Sequence, residues 1–493
     1  MNPDFFRGKK VTVMGLGLHG GGLGTAKWLL KHGAQVTVTD AKDEQALAPS
    51  VRALKAYEKK LRSLEAHKLI SLKLRLVLGR HDEADFSGAD VVIQNPGVPR
   101  ENRYLAVAKA AGVPIMSDIS IFFELCPFPI MAVTGTKGKT TTTMLLADIC
   151  RRHDKRTVVG GNIRINPLDS LDKLLSLATR HPASQHISIS APPIVLELSS
   201  WQLESLVPSR RSPHIAVVTN VQEDHLNRYD NLAHYAWAKE LILTHQDVGD
   251  VAILNADDAR VRAMASADRG QIKWFSTKNL RGGDGCFARD GRLVCREGER
   301  ERAGLTLADL RLPGRHNIAN VLAATAAALA ADIPLKTIRS AIRAFRGAPG
   351  RLETVTVKRG VRYVNDTTAT TPDAAIAALR ALSPPSGRKI VLIAGGADKK
   401  LRFDDWAREV QRRIKTLVLF GGTATAKMEL SLSSAKSRVP VSSAASMKDA
   451  VKIATAAAAK GDTVLLSPGC ASFGLFVHEF DRGEKFVLAV RKL

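Results

Sequence analysis

Residues 130–142 read Ile-Met-Ala-Val-Thr-Gly-Thr-Lys-Gly-Lys-Thr-Thr-Thr, and an apolar helical pattern follows from Met144 to Cys150. A strand, a Gly-Lys-Thr turn and a helix in this order are typical of a phosphate-binding loop, whose backbone N–H groups and lysine contact phosphate oxygens. The turn is shorter than the common G-x-x-x-x-G-K-[ST] pattern because position 133 is Val. A chance Gly-Lys-Thr in a surface turn is the alternative, and the flanking strand and helix argue against it. The stretch therefore predicts that Lys139 contacts nucleotide phosphates and that the Thr140 hydroxyl binds Mg²⁺.

A second glycine-rich turn lies near the N-terminus, between a predicted strand over Lys9–Met14 and an apolar helix. The turn, Gly15 to Gly20, has G-x-G-x-x-G spacing, and a second predicted strand over Gln35–Thr39 ends at Asp40. Such a βαβ unit brings backbone close to a pyrophosphate at a helix N-terminus, and the acid is placed to reach a sugar or base. The same pattern occurs in nicotinamide and flavin domains, so these residues alone leave a dehydrogenase domain equally open.

The middle of the chain supplies candidate metal ligands. Glu197 lies in an apolar predicted strand, where a carboxylate is costly to bury unless it is paired or binds a metal. His225 follows a second predicted strand over Val217–Asn220, and Lys239 lies in a predicted helix over Leu232–Thr244. Taken alone, His225 fits an ordinary loop histidine and Lys239 fits a solvated lysine.

The last third of the chain again alternates strands and helices after a Gly- and Pro-containing linker, Phe345–Gly350. Three polar loops follow apolar strands there, at residues 365–370, 395–400 and 467–472. Ligands bind at the carboxyl ends of strands in open α/β sheets, so we expect these loops to line one face.

The predicted fold class is α/β with three domains, because 493 residues exceed what one hydrophobic core supports. We expect a Rossmann-like N-terminal domain at 1–126, a central P-loop ATPase domain at 127–347 and a Rossmann-like C-terminal domain at 348–493. An Ala-rich helix over Asn317–Ala331 is predicted late in the central domain. Asn317 and Asn320 near its start are polar enough to contact a ligand.

Composition narrows the class of protein. The net charge of +24 is spread along the chain, which favours a generally basic surface suited to anionic substrates over a dedicated nucleic-acid site. The five cysteines are scattered in the sequence and predict free thiols. The first residues lack a signal-peptide pattern and no apolar run could span a bilayer, so we expect a cytoplasmic protein without a membrane partner. The residues Asp43–Leu78 predict a charged helical insertion.

Several short motifs, in this order and at about this spacing, resemble the Mur ligase family: Gly135–Thr140, Gly160–Ile163, Leu196–Glu204, Glu223–His225, Asn255–Asp258 and Gly314–Asn317. Each motif is weak alone, and together they are highly specific. The likeness covers nearly the whole chain apart from two stretches that look like insertions, Asp43–Leu78 and Asp169–Pro193. Within the family, the N-terminal glycine turn, the 365–370 loop and the residues Ser467–Ser472 and Phe480–Gly483 look most like the glutamate-adding members.

The resemblance implies an ATP-dependent amide ligase of peptidoglycan synthesis. It implies that D-glutamate is added to UDP-N-acetylmuramoyl-L-alanine through an acyl phosphate, with ATP and two Mg²⁺ ions. In this family the N-terminal domain holds UDP rather than nicotinamide, and a lysine matching Lys239 is carried as a carbamate that binds metal. We expect a monomer.

The expected site residues fall into five groups. Catalytic roles are expected for Lys139, Glu197, His225 and Lys239. Metal ligands are expected to be Thr140, Glu197, His225 and the carbamoylated Lys239. ATP contacts are expected from Gly135, Thr136, Lys137, Gly138, Lys139, Thr140, Thr141, Asn317, Asn320, Arg351 and Asp366. UDP-substrate contacts are expected from Gly17, Leu18, His19, Asp40, Asn95, Gly97, Asn162 and His225, and glutamate contacts from Thr370, Lys399, Ser472, Phe473 and Phe480.

Other functions stay open at this point. A Mur-type ligase for L-glutamate or another amino acid fits the same motifs, and Thr368 stands where many relatives have lysine. A folylpolyglutamate synthetase is disfavoured by the UDP-type N-terminal domain. A non-catalytic P-loop protein that binds nucleotide or nucleic acid is disfavoured because Glu197, His225 and Lys239 are all present.

Overall fold

The computed structural model describes residues 1–18, 20–64, 73–99, 101–180, 191–224, 228–267, 269–311, 314–384, 387–398, 401–472 and 474–493. Their contacts separate the chain into two compact units. The first comprises Met1–Asp309 and Ile318–Ile342, and the second comprises Leu310–Asn317 and Arg343–Leu493. Within the described part of the chain, no helix is both long enough and apolar enough to cross a bilayer.

The first unit begins with a Rossmann-like sheet. Its strands are β1 Lys10–Met14, β2 Gln35–Asp40, β3 Lys73–Leu78, β4 Val91–Gln94 and β5 Ile115–Met116, and its helices are α1 Gly21–Lys31, α2 Ala48–Leu64, α3 Ala84–Ser87, α4 Arg103–Ala110 and α5 Asp118–Leu125. Among the described residues the strand order is β3-β2-β1-β4-β5, and every pairing is parallel. The order reverses between β1 and β4, so the glycine turn after β1 lies at the switch point where such sheets bind ligands.

The prediction of one helical insertion over Asp43–Leu78 is wrong at its C-terminal end. Helix α2 forms, but Lys73–Leu78 is the edge strand β3, which pairs with β2 along its length. This strand reads Lys-Leu-Arg-Leu-Val-Leu, and its first four residues alternate charged and apolar, as a half-buried strand does. Leu, Lys and Arg also favour helices, so residue content alone favoured the wrong structure.

A larger sheet follows in the chain. Its strands are β6 Ile130–Thr134, β7 Val158–Gly161, β8 Ile194–Glu197, β9 Ile215–Val218, β10 Val251–Asn255, β11 Gln271–Ser276, β12 Gly285–Arg289, β13 Arg292–Glu297 and β14 Arg300–Thr306. The helices are α6 Lys139–His153, α7 Leu168–Arg180, α8 Ser200–Glu204, α9 Leu232–Glu240, α10 Ala259–Ala263, α11 Arg315–Ala330 and α12 Leu335–Ala344. The order among the described residues is β14-β13-β12-β11-β10-β9-β6-β8-β7, parallel from β7 to β12. Because β6 lies between β8 and β9, the loops after these three strands meet at one edge.

Helix α7 belongs to the second stretch that looked like an insertion, and it packs into the core of the first unit. Three of its leucines are buried there: Leu168, Leu171 and Leu174. Asp172 on the same helix accepts a hydrogen bond from Trp28 Nε1 at 3.0 Å, lies 2.9 Å from His32 Nε2 and pairs with Lys31. Helix α7 therefore shares a hydrophobic core with α1 and is also joined to α1 and its C-cap by hydrogen bonds and an ion pair.

The second unit contains another doubly wound sheet. Its strands are β15 Glu353–Lys358, β16 Val361–Asn365, β17 Ile390–Ala394, β18 Ile414–Phe420, β19 Val441–Ala444 and β20 Thr463–Leu466, and its helices are α13 Pro372–Leu382, α14 Asp404–Arg413, α15 Thr425–Ser434, α16 Met447–Ala457 and α17 Glu479–Arg491. The order among the described residues is β15-β16-β20-β17-β18-β19, with only β15 antiparallel to its neighbour. The three polar loops follow β16, β20 and β17, which are neighbours, so the prediction that they share one face is confirmed.

Candidate active site

The predicted phosphate loop joins β6 to α6 in the first unit. Gly138 precedes the helix with φ 86°, a left-handed conformation that glycine adopts readily. A Cβ at this position would lie 2.3 Å from Asn320 Oδ1. Thr142 Oγ1 donates to the same amide oxygen at 3.4 Å. Glycine thus lets α11 approach the loop closely, which brings Asn320, a predicted ATP contact, beside it.

Lys139 is the first residue of α6, and its side chain folds back over the phosphate loop. Its ammonium donates to the carbonyl oxygens of Gly135 at 2.7 Å and Thr136 at 2.9 Å. The positive charge is therefore held inside the turn, where a phosphate-binding loop receives the β- and γ-phosphates.

The segment that follows β9 braces the phosphate loop. Asn220 Oδ1 accepts from Lys137 N at 2.8 Å, and Asn220 Nδ2 and Thr219 Oγ1 donate to Lys137 O at 2.9 and 2.7 Å. Gln222 N donates to Thr136 Oγ1 at 3.0 Å. These bracing residues were not predicted from the sequence. Their position at the end of an apolar strand is the one signal that the sequence offers, and it does not show that this strand end lies beside the phosphate loop.

Glu197 ends β8 at the same edge of the sheet and is 1% exposed. Its Oε1 accepts from Asn162 Nδ2 at 2.7 Å, whereas its Oε2 is buried and has no hydrogen-bond partner among the described residues. A buried carboxylate oxygen without a partner is costly, and a hard cation such as Mg²⁺ satisfies it. The donor set therefore fits a Mg²⁺ ligand at Glu197.

Within the described ranges, no group of three or more His, Cys, Asp or Glu side chains could hold a metal ion. Mg²⁺ commonly keeps several waters and takes one or two carboxylates plus substrate phosphates. A single carboxylate beside a phosphate loop is consistent with that preference.

Lys239 is buried beside the phosphate loop and is 1% exposed, so the alternative of a solvated helix lysine is wrong. Its Nζ donates to Gly135 O at 3.0 Å and lies 4.2 Å from the centre of the Tyr235 ring. Burial and then repulsion by Lys139 lower the pKa of Lys239 to about 6, against the attraction of Asp224. At neutral pH the amine is therefore largely uncharged.

Asp40 shapes the N-terminal glycine turn. Its Oδ2 accepts from the backbone N–H groups of Leu16 at 2.9 Å and Gly17 at 3.1 Å, and its Oδ1 accepts from Lys42 N at 2.9 Å. The carboxylate is 9% exposed. In this structure Asp40 therefore fixes the backbone of the glycine turn.

Asn95 connects the glycine turn after β1 to the turn after β4, at the switch point of the first sheet. Its Nδ2 donates to Gly15 O at 3.1 Å, and its Oδ1 accepts from Gly97 N at 3.3 Å. Leu18, in the glycine turn, is half-buried. The structure therefore brings together the predicted UDP contacts of the first sheet that it describes.

A short loop after β7 contacts Glu197 at one end and the start of α1 at the other. Asn162 contacts Glu197 at one end of the loop, and Asn166 Nδ2 donates to Gly21 O at 2.7 Å and to Thr25 Oγ1 at 2.9 Å at the other. The start of α1 and the candidate metal ligand thus lie on either side of one turn.

In the second unit, Asp366 lies at the end of β16. Ser467 Oγ donates to its Oδ2 at 2.8 Å, and Leu352 N donates to its Oδ1 at 3.1 Å. Burial raises the pKa of Asp366 to about 7, against these hydrogen bonds and the charge of Arg351. Arg351 itself is exposed.

Arg482 is a fully buried residue to which no role was assigned from the sequence. It donates to Thr367 Oγ1 at 3.1 Å, to Thr367 O at 2.8 Å and to Cys470 O at 3.2 Å, and burial lowers its pKa to about 10. It therefore fixes the loops after β16 and β20 together. The signal for it was its place in the Phe480–Gly483 motif.

The candidate glutamate contacts of the second unit are only partly described. Ser472 is buried, and Thr370 and Phe480 are half-buried. Thr368, the departure from the family pattern, donates its hydroxyl to Gly350 O at 2.9 Å. The predicted site residues that lie outside the described residues are His19, His225, Lys399 and Phe473.

Comparison with known proteins gives matches along most of the chain. Three family models match in order: "Mur ligase MurD-like, N-terminal domain" at residues 9–117, "Mur ligase middle domain" at 133–328 and "Mur ligase, glutamate ligase domain" at 350–470. A protein of Roseiflexus sp. (strain RS-1) named UDP-N-acetylmuramoylalanine--D-glutamate ligase is 44% identical, with 97% of each chain covered. The chain belongs to the Mur ligase family. It is an enzyme of that family, a ligase with the N-terminal, middle and C-terminal domains that the family models describe.

Two further matches are also Mur ligases. A Symbiobacterium thermophilum protein of the same name is 37% identical, with 98% of each chain covered. Among solved structures, the UDP-N-acetylmuramate-alanine ligase of Thermotoga maritima is similar with a TM-score of 0.58 and 19% identity, covering 98% of this chain and 99% of that one. At that identity the likeness concerns the fold alone.

Proposed function

We propose that this Mur ligase joins D-glutamate to the alanyl carboxylate of UDP-N-acetylmuramoyl-L-alanine, converting ATP to ADP and phosphate. The main support for the proposal is that the phosphate loop with Lys139 and the buried carboxylate of Glu197 lie at the same edge of one sheet. One oxygen of that carboxylate has no hydrogen-bond partner among the described residues. The names of the relatives in Roseiflexus and Symbiobacterium support the choice of amino acid and acceptor.

The reaction needs activation because a carboxylate is a poor electrophile. Transfer of the γ-phosphate to the alanyl carboxylate makes an acyl phosphate, which the amine of glutamate attacks through a tetrahedral intermediate to release phosphate. Lys139 neutralises charge that accumulates during transfer, and the loop positions the phosphates in line. Two Mg²⁺ ions, when bound, neutralise phosphate charge. We assign Thr140 and Glu197 to one ion, and His225 with a modified Lys239 to the other.

The chemistry of Lys239 supports a carbamate. An uncharged amine is nucleophilic toward carbon dioxide, whereas an ammonium is not, and the pKa of about 6 makes the uncharged form available. A carbamate converts the side chain from a cation to an oxygen donor, which is the ligand type that Mg²⁺ prefers. The positive charge of the adjacent Lys139 stabilises a carbamate anion at position 239 and destabilises an ammonium there.

The substrate sites are proposed from the switch points of the sheets. We assign UDP to the glycine turn and the Asn95 turn, with Asn162 toward the reacting end, and ATP to the phosphate loop with Asn320. We assign Asn317, Arg351 and Asp366 to ATP and the loops after β16, β17 and β20 to glutamate. The three functional domains are proposed at residues 1–126, 127–347 and 348–493, which the family matches at 9–117, 133–328 and 350–470 support.

One assay tests the proposal. Purified chain is incubated with ATP·Mg²⁺, UDP-N-acetylmuramoyl-L-alanine and each amino acid in turn, and phosphate release and product mass are measured. We expect both with D-glutamate. Product with L-glutamate or lysine and none with D-glutamate would overturn the amino-acid assignment while leaving ligase chemistry intact. The proposal includes a cytoplasmic monomer, which size-exclusion chromatography with light scattering and cell fractionation check.

A further inference from the structure

Strands β12 and β13 form a hairpin whose turn sets the pairing of every residue along it. Asp290 and Gly291 connect the strands with φ 49° and 71°, the two positive values of a type I′ turn. In a two-residue hairpin the pair that flanks the turn, Arg289 and Arg292, is hydrogen-bonded, and the pairs then alternate. Cys286 lies opposite Cys295 three pairs further on, so they form a non-hydrogen-bonded pair.

This kind of pair has the geometry that a cross-strand disulfide needs. Directly opposed residues of a non-hydrogen-bonded pair have Cα atoms about 4.5 Å apart, within the range of roughly 4.4–6.8 Å found for disulfides. The two Sγ atoms are 2.6 Å apart, and both thiols are free. The spacing of the two cysteines in the sequence did not reveal this pair, because only the hairpin register brings them together.

We propose that Cys286 and Cys295 are a redox modification site at which a low-molecular-weight disulfide converts the two thiols to a cross-strand disulfide. One cysteine thiolate attacks a sulfur of the oxidant and releases one small thiol. The second cysteine thiolate attacks the mixed disulfide and releases the other. The two cysteines lose two electrons and two protons, and the oxidant is reduced to two thiols.

Exposure decides which cysteine reacts first. Cys295 is 6% exposed and Cys286 is 0% exposed, so Cys295 makes the first attack and Cys286 closes the bond. Burial and contact with the other thiol raise the pKa of Cys286. Because only the thiolate reacts, the closing step becomes faster as pH rises.

The position of the pair determines what oxidation changes. Strands β11, β10 and β9 separate β12 from β6, which carries the phosphate loop. A disulfide here fastens the outer hairpin of the sheet without touching the candidate site. We therefore expect higher resistance to thermal unfolding and unchanged kinetic constants, which makes this proposal independent of the proposed function.

Peptide mapping tests the proposal directly. The reduced full chain is incubated with oxidised glutathione at several pH values, alkylated, and digested with trypsin. Cleavage after Arg281, Arg289, Arg292 and Arg296 leaves each cysteine in its own peptide, 282–289 and 293–296. We expect these two peptides to become linked, faster at higher pH, and the first thermal transition to rise by about 2–4 °C.

Three variants complete the test. Cys126→Ala should still form the link, whereas Cys295→Ala should not, and its melting temperature should not respond to the oxidant. Cys286→Ala serves the same purpose if Cys295→Ala folds poorly. Failure of the native wild-type chain to link these peptides, or formation of glutathione adducts alone, would overturn the proposal. Linkage without a change in thermal stability would overturn its stabilising role.

Discussion

Lys139 tests the phosphate loop most simply. We expect Lys139→Ala to lose about a hundredfold or more in turnover, because the ammonium acts on charge that develops during phosphoryl transfer. The fold should survive, since Gly135 O keeps its hydrogen bond from Lys239. Steady-state kinetics and thermal unfolding check the two expectations. Lys155→Ala, at an exposed position, is the control, and a Lys139→Ala enzyme with more than about a tenth of wild-type turnover would contradict the assignment.

Lys239 tests the carbamate. We expect Lys239→Ala to be nearly inactive at saturating Mg²⁺ and to regain part of its activity with a short-chain carboxylate, which replaces the lost oxygen donor. Lys139→Ala assayed with the same carboxylate is the control, because its defect is a missing cation. Equal responses of the two variants, or an unmodified Lys239 in a well-resolved map of active enzyme, would argue against the carbamate.

Asp118 gives a pH prediction outside the site. Its Oδ1 accepts from Ile119 N at 2.8 Å, and burial raises its pKa from 3.8 to about 6. A carboxyl whose pKa is raised on folding costs no stability below its unfolded pKa and destabilises the fold as pH rises through 6. Asp118→Asn keeps an acceptor but no charge, so it should be more stable than wild type at pH 8 by roughly 1–3 kcal/mol.

The measurement for Asp118 is thermal unfolding between pH 5 and 8. The advantage of Asp118→Asn should shrink as pH falls, because the wild-type carboxyl becomes neutral there. Asp4→Asn, whose side chain is 74% exposed, should show no such trend. A difference that stays constant with pH would show that Asp118 is ionised in the fold throughout this range.

Single residues differ in how far the sequence predicts them. Glu197 could be selected because an acid in an apolar strand is costly to bury without a partner, and its role as a metal ligand stays a prediction that the unpartnered, buried Oε2 supports. Lys239 could be selected only through the family, since nothing local distinguishes a buried helix lysine from a solvated one. Asn220 and Arg482 were not predicted because each makes hydrogen bonds to the backbone of a loop that is distant in the sequence.

At the scale of elements, periodicity predicted most strands and helices and failed where composition was ambiguous. Strands β17 and β20 end directly before the polar loops predicted at 395–400 and 467–472, because continuous apolar runs between turns are distinctive. Strand β3 was missed because it lies at a sheet edge and buries little of its surface. Helix α7 was dismissed as an insertion, although its leucines complete the core of the first unit.

Helix α7 provides the prediction at this scale. Asp172→Ala removes the acceptor of the buried Trp28 N–H and the partner of Lys31, so we expect the unfolding free energy to fall by about 1–3 kcal/mol. Asp172→Asn should recover part of the loss because its Oδ1 still accepts from Trp28. Asp148→Ala, which removes the surface pair with Arg152, should be close to neutral. Equal melting temperatures for Asp148→Ala and Asp172→Ala would contradict the fastening of α7 to α1.

At the scale of the whole molecule, the candidate ligand-binding loops of the three sheets share one kind of position. The glycine turn, the phosphate loop and the three C-terminal loops each follow the carboxyl end of a strand that has a parallel neighbour. Motifs at strand ends therefore predicted the fold class correctly, and the positions of the candidate sites stay a prediction from the same motifs. The amino acid that is added could not be predicted in this way, because it depends on side-chain geometry around loops whose sequence is compatible with more than one acidic substrate.

The central claim is that a carboxylate is activated as an acyl phosphate and captured by D-glutamate. Such a step transfers one carboxylate oxygen to the departing phosphate. The decisive measurement uses UDP-N-acetylmuramoyl-L-alanine labelled with heavy oxygen in its alanyl carboxylate, together with ATP·Mg²⁺ and D-glutamate, and follows the label by mass spectrometry. The account predicts one labelled oxygen in the released phosphate and the other in the new amide. Unlabelled phosphate, or labelled phosphate formed with L-glutamate and not with D-glutamate, would contradict it.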